Sequence, residues 1–170
     1  MRRGRHDGGG YGTLRLMIMA LSADLAVKGA ARFLLSGKTV PLVLGFRLEL
    51  HLNSGVSFGL TPTLGWAVGL LGLAVLLGLT WASRGRTGRA GCGLALLWAG
   101  GLSNALERLF LGSVTDFFLV PLQRIPWVPL SGLYLNLADL WLFLGAVLLL
   151  LDFLLTKRSE ERRVGKECRS

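Results

Sequence analysis

The segment VTDFFLVPLQRIPWVPLSGLYLNLAD, residues Val114–Asp139, carries an aspartate near each end and is otherwise almost entirely apolar. Its three prolines prevent it from forming one continuous helix. A carboxylate beside hydrocarbon is costly and is usually functional. We therefore expect the segment to connect two helices and to place Asp116 and Asp139 near their ends.

Long apolar blocks lie on both sides of this segment. Of the 170 residues, 52% are hydrophobic and 17% are charged, whereas a soluble domain carries about 25% charged residues. A helix needs about 20 residues to cross about 30 Å of hydrocarbon. The blocks predict four transmembrane helices, at about Leu14–Leu35, Leu64–Ala82, Ala90–Leu106 and Leu137–Leu155.

The two longer connections between these helices have different patterns. In FRLELHLN, Phe46–Asn53, apolar and polar residues alternate, which predicts a half-buried strand. The proline-rich connection before Asp139 is expected to lie on the membrane surface. The predicted fold class is therefore an all-α membrane protein with four transmembrane helices, a small outer-face β element and a proline-rich amphipathic outer segment.

The formal net charge of +9 does not indicate nucleic-acid binding, because the basic residues lie in short stretches beside the apolar blocks. Such clusters mark the cytoplasmic side of a membrane protein. Their members are Arg2, Arg3, Arg5, Arg15, Arg84, Arg86, Arg89 and Lys157. We expect both termini on the cytoplasmic side and the two longer connections outside.

Several polar residues lie within or beside the apolar blocks. Asp24 and Lys28 are four residues apart, a spacing that favours an ion pair on a helix. The pair is either structural or a scaffold for a polar site at the outer face. Asn53 and Gly55 form a turn signal after the predicted strand. Asn104 lies on the same helical face as Gly100 and is expected to face inward.

The aspartates at the two ends of the opening segment suit acid–base chemistry. Asp116 follows the third block and Asp139 begins the fourth, close to Asn136, so both carboxylates are expected at the outer edge of the bundle. Two neighbouring carboxylates share a proton, which provides a base to activate water and an acid for a leaving amine. The alternative is that Asp139 caps a helix and Asp116 is a loop acid.

Five motifs in this order resemble those of bacterial lipoprotein signal peptidase, or signal peptidase II, across residues 14–155. They are the D-x-x-x-K of Asp24, the N-x-G-x-x-F-G of Asn53, the N-x-x-E-R of Asn104, the G-x-V-x-D-F of Gly112 and the N-x-A-D of Asn136. The resemblance implies an aspartic endopeptidase of the bacterial cytoplasmic membrane. It removes signal peptides from prolipoproteins, cutting before the diacylglyceryl cysteine.

The resemblance also implies roles for individual residues. Asp116 and Asp139 match the catalytic pair, without a metal or cofactor. The positions that support the site or contact substrate are Asp24, Lys28, Asn53, Gly55, Asn104, Arg108 and Asn136. Two residues depart from the family pattern: Ser103 replaces a glycine and Glu107 an aspartate. The implied partners are lipid-modified prolipoproteins and membrane lipids, with the protein acting as a monomer.

Residues 1–157 are expected to form this single membrane protease domain. The tail RSEERRVGKECRS, Arg158–Ser170, resembles the conceptual translation of a sequencing-adapter oligonucleotide. Two other functions stay open on the residues alone. One is a catalytically inactive membrane binding protein of the same fold, and the other is a small ion or solute transporter subunit.

Overall fold

The computed structural model describes residues 8–54, 65–84, 86–122 and 132–167. These residues form four α-helices and one small antiparallel sheet, as the sequence predicts in outline. The helices are α1 (Gly8–Leu34), α2 (Gly65–Ala82), α3 (Arg89–Leu111) and α4 (Leu137–Glu167). A short 3-10 turn, Val43–Gly45, lies within the first connection.

The sheet is larger than the predicted β element. Its strands are β1 (Thr39–Pro41), β2 (Arg47–Asn53), β3 (Val114–Pro121) and β4 (Gly132–Leu135), in the order β1-β2-β3-β4. The alternating segment is confirmed as β2. The segment expected on the membrane surface contributes β3 and β4, which the sequence did not predict as strands; its position at the membrane stays a prediction. Pro121 is the last residue of β3, where a missing N–H group is tolerated.

Helix α3 is the centre of the bundle and packs against each of the other three helices. Small residues allow its backbone to approach α4 closely. A Cβ atom added to Gly100 would lie 2.4 Å from the carbonyl oxygen of Ala138, and one added to Gly145 would lie 2.7 Å from that of Gly93. The small residues Ala99–Gly101 of α3 therefore have a packing role at the start of α4.

Gly100→Ala is expected to lower the free energy of unfolding by about 1–3 kcal/mol, the usual cost of overpacking. The added methyl group meets backbone atoms, which cannot rotate away. Gly29→Ala in α1 is the matched control, because a Cβ atom there has nothing within 4 Å. The measurement is the thermal unfolding midpoint of each variant in detergent. Equal midpoints for the two variants would contradict the close α3–α4 contact.

The distribution of polar and apolar side chains is inverted relative to a water-soluble domain. Large apolar side chains such as Phe33, Phe110 and Phe143 are exposed, whereas charged ones such as Asp24 and Lys28 are buried. A large exposed apolar surface suits contact with lipid. Among the described residues, one stretch has the length and composition to cross a membrane, Leu137–Arg158 of α4; the apolar stretch of α2 is shorter.

Helices α1, α3 and α4 extend beyond the predicted apolar blocks, whereas α2 matches its block. Helix α3 continues to Leu111 rather than ending near Leu106, and Gly112 then adopts a left-handed conformation with φ of 71°. Helix α4 continues to Glu167. Polar residues end an apolar block, but they do not end a helix. Hydropathy alone therefore placed the C-terminal ends of α3 and α4 too early in the chain. The adapter origin of the tail stays a prediction.

Candidate active site

The two aspartates of the opening segment lie at the same end of the bundle. Asp116 is the third residue of β3, rather than a loop residue, and Asp139 is the third residue of α4. The Asp116 side chain is 3% exposed. It accepts hydrogen bonds from Nδ2 of Asn136 at 2.7 Å and from Nδ2 of Asn53 at 3.2 Å. Both of its oxygens are therefore held by amide donors.

Asp139 and Asn136 form a reciprocal cap at the start of α4. The Asn136 backbone N–H donates to Oδ2 of Asp139 at 2.9 Å, and the Asp139 N–H donates to Oδ1 of Asn136 at 3.1 Å. This is the geometry of a capping box. The alternative that Asp139 caps the helix holds in part: Asn136 is the N-cap residue and Asp139 is its partner in the first turn. Its Oδ1 still faces inward, where Nδ2 of Asn104 donates at 3.4 Å.

Asn136 connects the two carboxylates. It caps α4 together with Asp139, while its Nδ2 donates to Asp116 and, at 3.4 Å, to Oδ1 of Asn104. Because β4 ends at Leu135 and α4 begins at Leu137, the single residue between them fixes both aspartates. The arrangement joins the two carboxylates through one asparagine, which suits one of them to act as a general base and the other as a general acid.

Burial raises the pKa of Asp116 above its ordinary value of 3.8. The hydrogen bonds from Asn136 and Asn53 act in the opposite direction, since they favour the ionised form. The negative charge of Asp139 raises the pKa further, and the charge of His51 lowers it. The net direction is upward, so the pair holds a proton more readily than an isolated aspartate.

This raised pKa predicts how stability depends on pH. The folded protein binds the Asp116 proton more tightly than the unfolded chain. The stabilisation is therefore fully present below pH 3.8 and is lost as the pH rises through the folded-state pKa. Asp116→Asn removes this titration. The free energy of unfolding of the variant, minus that of the parent, should increase from about pH 4 to about pH 7. A difference that stays constant in denaturant titrations across this range would contradict the prediction.

Arg108 lies close enough to both aspartates for their charges to act on its guanidinium group. Its Nε atom is buried and has no hydrogen-bond partner within the described part of the chain. A cation with an unused donor beside two carboxylates is suited to hold a substrate carbonyl or to compensate negative charge. The predicted association of Arg108 with the site is consistent with this position.

Lys28 is the centre of a buried ion cluster between α1 and α3. Its Nζ lies 2.9 Å from Asp24 Oδ2 and 3.1 Å from Glu107 Oε2. It also donates to Oδ1 of Asn104 at 2.6 Å and to Oγ of Ser103 at 3.2 Å. The predicted Asp24–Lys28 ion pair is confirmed. The cluster holds Asn104, which in turn contacts Asp139.

Both departures from the family pattern belong to this cluster. The Ser103 hydroxyl donates to Asp24. Glu107 accepts hydrogen bonds from Thr115, at 2.9 Å from the backbone N–H and 2.6 Å from the hydroxyl. Thr115 is adjacent to Asp116, so Glu107 fixes the strand that carries that carboxylate.

Sequence reasoning missed two residues of this network. Arg32 donates through Nε to the Thr115 hydroxyl at 2.6 Å and lies 3.2 Å from Glu107. Its spacing was informative, because Arg32 follows Lys28 by four residues and so lies on the same face of α1. Thr115 had no comparable signal, since threonine is common in strands.

The predicted site residues that the structure describes therefore lie close together. Gly55 lies outside the described residues. The residues brought together around the two aspartates are Asp24, Lys28, Asn53, Asn104, Arg108 and Asn136. Within the described residues, no three histidine, cysteine, aspartate or glutamate side chains form a group that could hold a metal ion.

An apolar cleft of about 630 Å³ opens beside Asp139. Asn136 and Asp139 form its polar end. The rest of the lining is hydrocarbon or aromatic, from α1, β3, β4 and α4: Val27, Phe117, Phe118, Leu135, Leu137, Leu140 and Phe143. A substrate in this cleft would contact mainly apolar side chains, together with the carboxylate of Asp139 and the amide of Asn136.

The arrangement of helices and sheet has counterparts among solved structures. Two solved structures described as bacterial membrane enzymes, determined by the in meso method at 2.3 and 1.9 Å resolution, share the fold. Their TM-scores are 0.67 and 0.65 at 18% sequence identity. Each match covers 84% of this chain. It covers 87% of the chain in the 2.3 Å structure and 92% of the chain in the 1.9 Å structure.

Sequence comparison identifies the family. The profile described as Signal peptidase (SPase) II matches residues 16–155. The lipoprotein signal peptidase of Ralstonia nicotianae is 32% identical, over 88% of this chain and 89% of its own. The lipoprotein signal peptidase of Sinorhizobium fredii is 34% identical, over 87% of this chain and 90% of its own. The chain belongs to the signal peptidase II family and is a peptidase.

Proposed function

We propose that this chain is an aspartic endopeptidase that removes signal peptides from lipid-modified prolipoproteins, cutting before the diacylglyceryl cysteine. One observation carries the proposal: Asp116 and Asp139 are both held by Asn136, at one end of the helix bundle, beside an apolar cleft. Membership of the signal peptidase II family supports the reaction class. The aspartic mechanism rests on the geometry of the pair.

The proposed reaction uses the pair as one acid and one base. The ionised carboxylate takes a proton from a water molecule, and the resulting hydroxide attacks the carbonyl carbon of the scissile peptide bond. The protonated carboxyl group then donates its proton to the departing amine. The products are a free carboxylate on the signal peptide and a free amine on the lipid-modified cysteine. Arg108, whose charge interacts with those of both aspartates, compensates the negative charge that develops on the carbonyl oxygen.

The cleft suits the lipid-modified substrate. Its apolar lining favours hydrocarbon, and its polar end places Asp139 where a peptide bond beside that hydrocarbon would lie. The alternatives of an inactive binding protein or a transporter subunit do not account for two carboxylates sharing one asparagine. A transporter would also favour charged groups near the middle of the membrane, in two repeated halves.

For the membrane arrangement, we propose four spans in the bacterial cytoplasmic membrane, with both termini inside. Two contacts bring the α2–α3 connection close to α4 and the start of α3 close to the start of α1, at the end of the bundle away from the sheet. These contacts support placing that end on the cytoplasmic side. Arg86, between α2 and α3, lies 3.4 Å from Asp152 of α4. A Cβ atom on Gly91 at the start of α3 would lie 3.1 Å from Thr13 at the start of α1.

Cysteine labelling is expected to find Thr87→Cys accessible only from the cytoplasm and Lys38→Cys accessible only from outside. Both positions are exposed, one beside the inner contacts and one before β1. The background lacks Cys92 and Cys168. An external Thr87 or a cytoplasmic Lys38 would contradict the orientation and, with it, the outer-face active site.

Complementation tests the proposed function. Cells depleted of their own lipoprotein signal peptidase accumulate uncleaved lipidated precursor. Expression of this chain is expected to restore processing, while the Asp116→Asn chain, expressed to the same membrane level, is expected to leave the precursor uncleaved. Equal processing by both chains, or by neither, would contradict the proposal.

A further inference from the structure

A second polar cluster lies on the sheet, outside the group around the aspartates. The ring of His51 on β2 stacks on the ring of Tyr134 on β4, with centroids 4.2 Å apart and an interplanar angle of 16°. The Tyr134 hydroxyl donates a hydrogen bond to Glu49 of β2. Since β3 lies between β2 and β4, both contacts reach across a strand. They hold the His51 ring over β3.

This position places His51 beside Asp116. The two residues are direct partners in the antiparallel register of β2 and β3. Opposite residues in such a pair have Cβ atoms about 4.5–5.5 Å apart. The next polar residue of β2, Asn53, donates to the Asp116 carboxylate. The positive form of His51 favours the ionised form of Asp116, which lowers the pKa of that carboxyl group.

We propose that His51 is a positioning residue whose protonated ring, held by Tyr134, stabilises the Asp116 carboxylate and extends the activity of the pair to lower pH. The proposal rests on the proposed function, because it concerns the reaction of the same two aspartates. His51 does not touch the reacting atoms in this scheme. It acts through the charge on Asp116.

The other charged groups around this position do not provide the same switch. Arg47 on β2 and Arg108 on α3 carry guanidinium groups, a kind of side chain that ordinarily stays charged across this range. Glu49 on β2 accepts the hydrogen bond of Tyr134, which raises the pKa of Tyr134 and keeps that hydroxyl a donor. Asp139 on α4 is the other member of the pair. Histidine is the side chain that ordinarily gains its charge between about pH 5 and 8.

The test is the pH profile of precursor cleavage by the full chain in lipid vesicles, using a diacylglyceryl-modified precursor peptide. His51→Gln keeps a polar side chain but cannot become charged. Near pH 8 its rate should lie within about twofold of the parent rate, because a histidine side chain ordinarily carries little charge at that pH. Near pH 5.5 its rate should be about threefold lower than the parent rate, the order expected for one charge at this distance near a surface.

His51→Lys is the matched variant, since it carries a positive charge at every pH in this range. The acidic limb of its pH profile should fall at the same pH as that of the parent or at a lower pH, whereas His51→Gln should shift the limb to higher pH. Tyr134→Leu, which removes the stacked ring, should shift the limb in the same direction as His51→Gln.

Two outcomes would overturn the proposal. One is an acidic limb for His51→Gln that coincides with that of the parent. The other is a loss of equal size at every pH, which indicates only a structural role. Failure of the proposed function is distinguishable, because the parent itself would then cleave no precursor at any pH.

Discussion

Replacing either Asp116 or Asp139 by asparagine is expected to lower the rate of precursor cleavage by about 10²–10⁴-fold or more. Asparagine keeps the shape of the side chain but neither takes a proton from water nor donates one as a carboxyl group does. Both aspartates are held through Asn136, so they are expected to act as one unit. The double variant should therefore be little slower than either single variant.

The measurement is single-turnover cleavage by purified protein in lipid vesicles. Asp152→Asn is the matched control, because Asp152 lies on the same helix as Asp139 but at the other end of the bundle, paired with Arg86. It should cleave at close to the parent rate. If the two single losses multiply in the double variant, the aspartates act independently and the shared-proton mechanism is wrong.

Lys28→Met is expected to have the largest effect on stability, a loss of about 3–5 kcal/mol in the free energy of unfolding. Lys28 is 1% exposed and lies between the carboxylates of Asp24 and Glu107. Methionine has a similar length but no charge, so two buried carboxylates would lose their shared cation. Asp24 is already under-satisfied, since its Oδ1 has no hydrogen-bond partner among the described residues.

Lys38→Met is the control for this change, because Lys38 is exposed in the turn before β1. Its unfolding midpoint in a denaturing detergent titration should match that of the parent. Lys28→Met with Asp24→Asn should recover part of the loss, because one of the unpaired charges is then removed. A Lys28→Met protein as stable as the Lys38→Met protein would show that the buried cluster contributes nothing to the fold.

Periodicity made part of this fold predictable. The spacing of Asp24 and Lys28 predicted an ion pair that the structure contains, and the alternation in Phe46–Asn53 predicted β2. The start of α4 at Leu137 was also correct. In each case, one short stretch contained the whole signal, because both the contact and the pattern are local in the chain.

The remaining strands could not be predicted in the same way. Val114–Pro121 is apolar on both faces after Asp116, so it lacks the period of two that identifies a half-buried strand. It forms β3 because β2 and β4 supply partners on both sides. The role of Thr115 is equally non-local: its hydroxyl becomes part of the site only when α3 presents Glu107 and α1 presents Arg32.

The position of the two aspartates illustrates both sides of this limit. The sequence places Asp116 and Asp139 beside the ends of consecutive apolar blocks, and from that their convergence could be expected. It does not reveal that Asn136 both caps α4 and binds Asp116, because that contact requires β4 to lie against β3. The geometry that makes the pair one unit is therefore a property of the sheet.

The most direct test is mass analysis of the products formed when the purified chain, in lipid vesicles, meets a precursor peptide with a diacylglyceryl-modified cysteine. The prediction is a single cut at the peptide bond immediately before that cysteine. The released signal peptide should end in a carboxylate, and the Asp139→Asn chain should give no such product. Cleavage at another bond, or the same cleavage by the Asp139→Asn chain, would contradict the assignment of this chain as an aspartic signal peptidase.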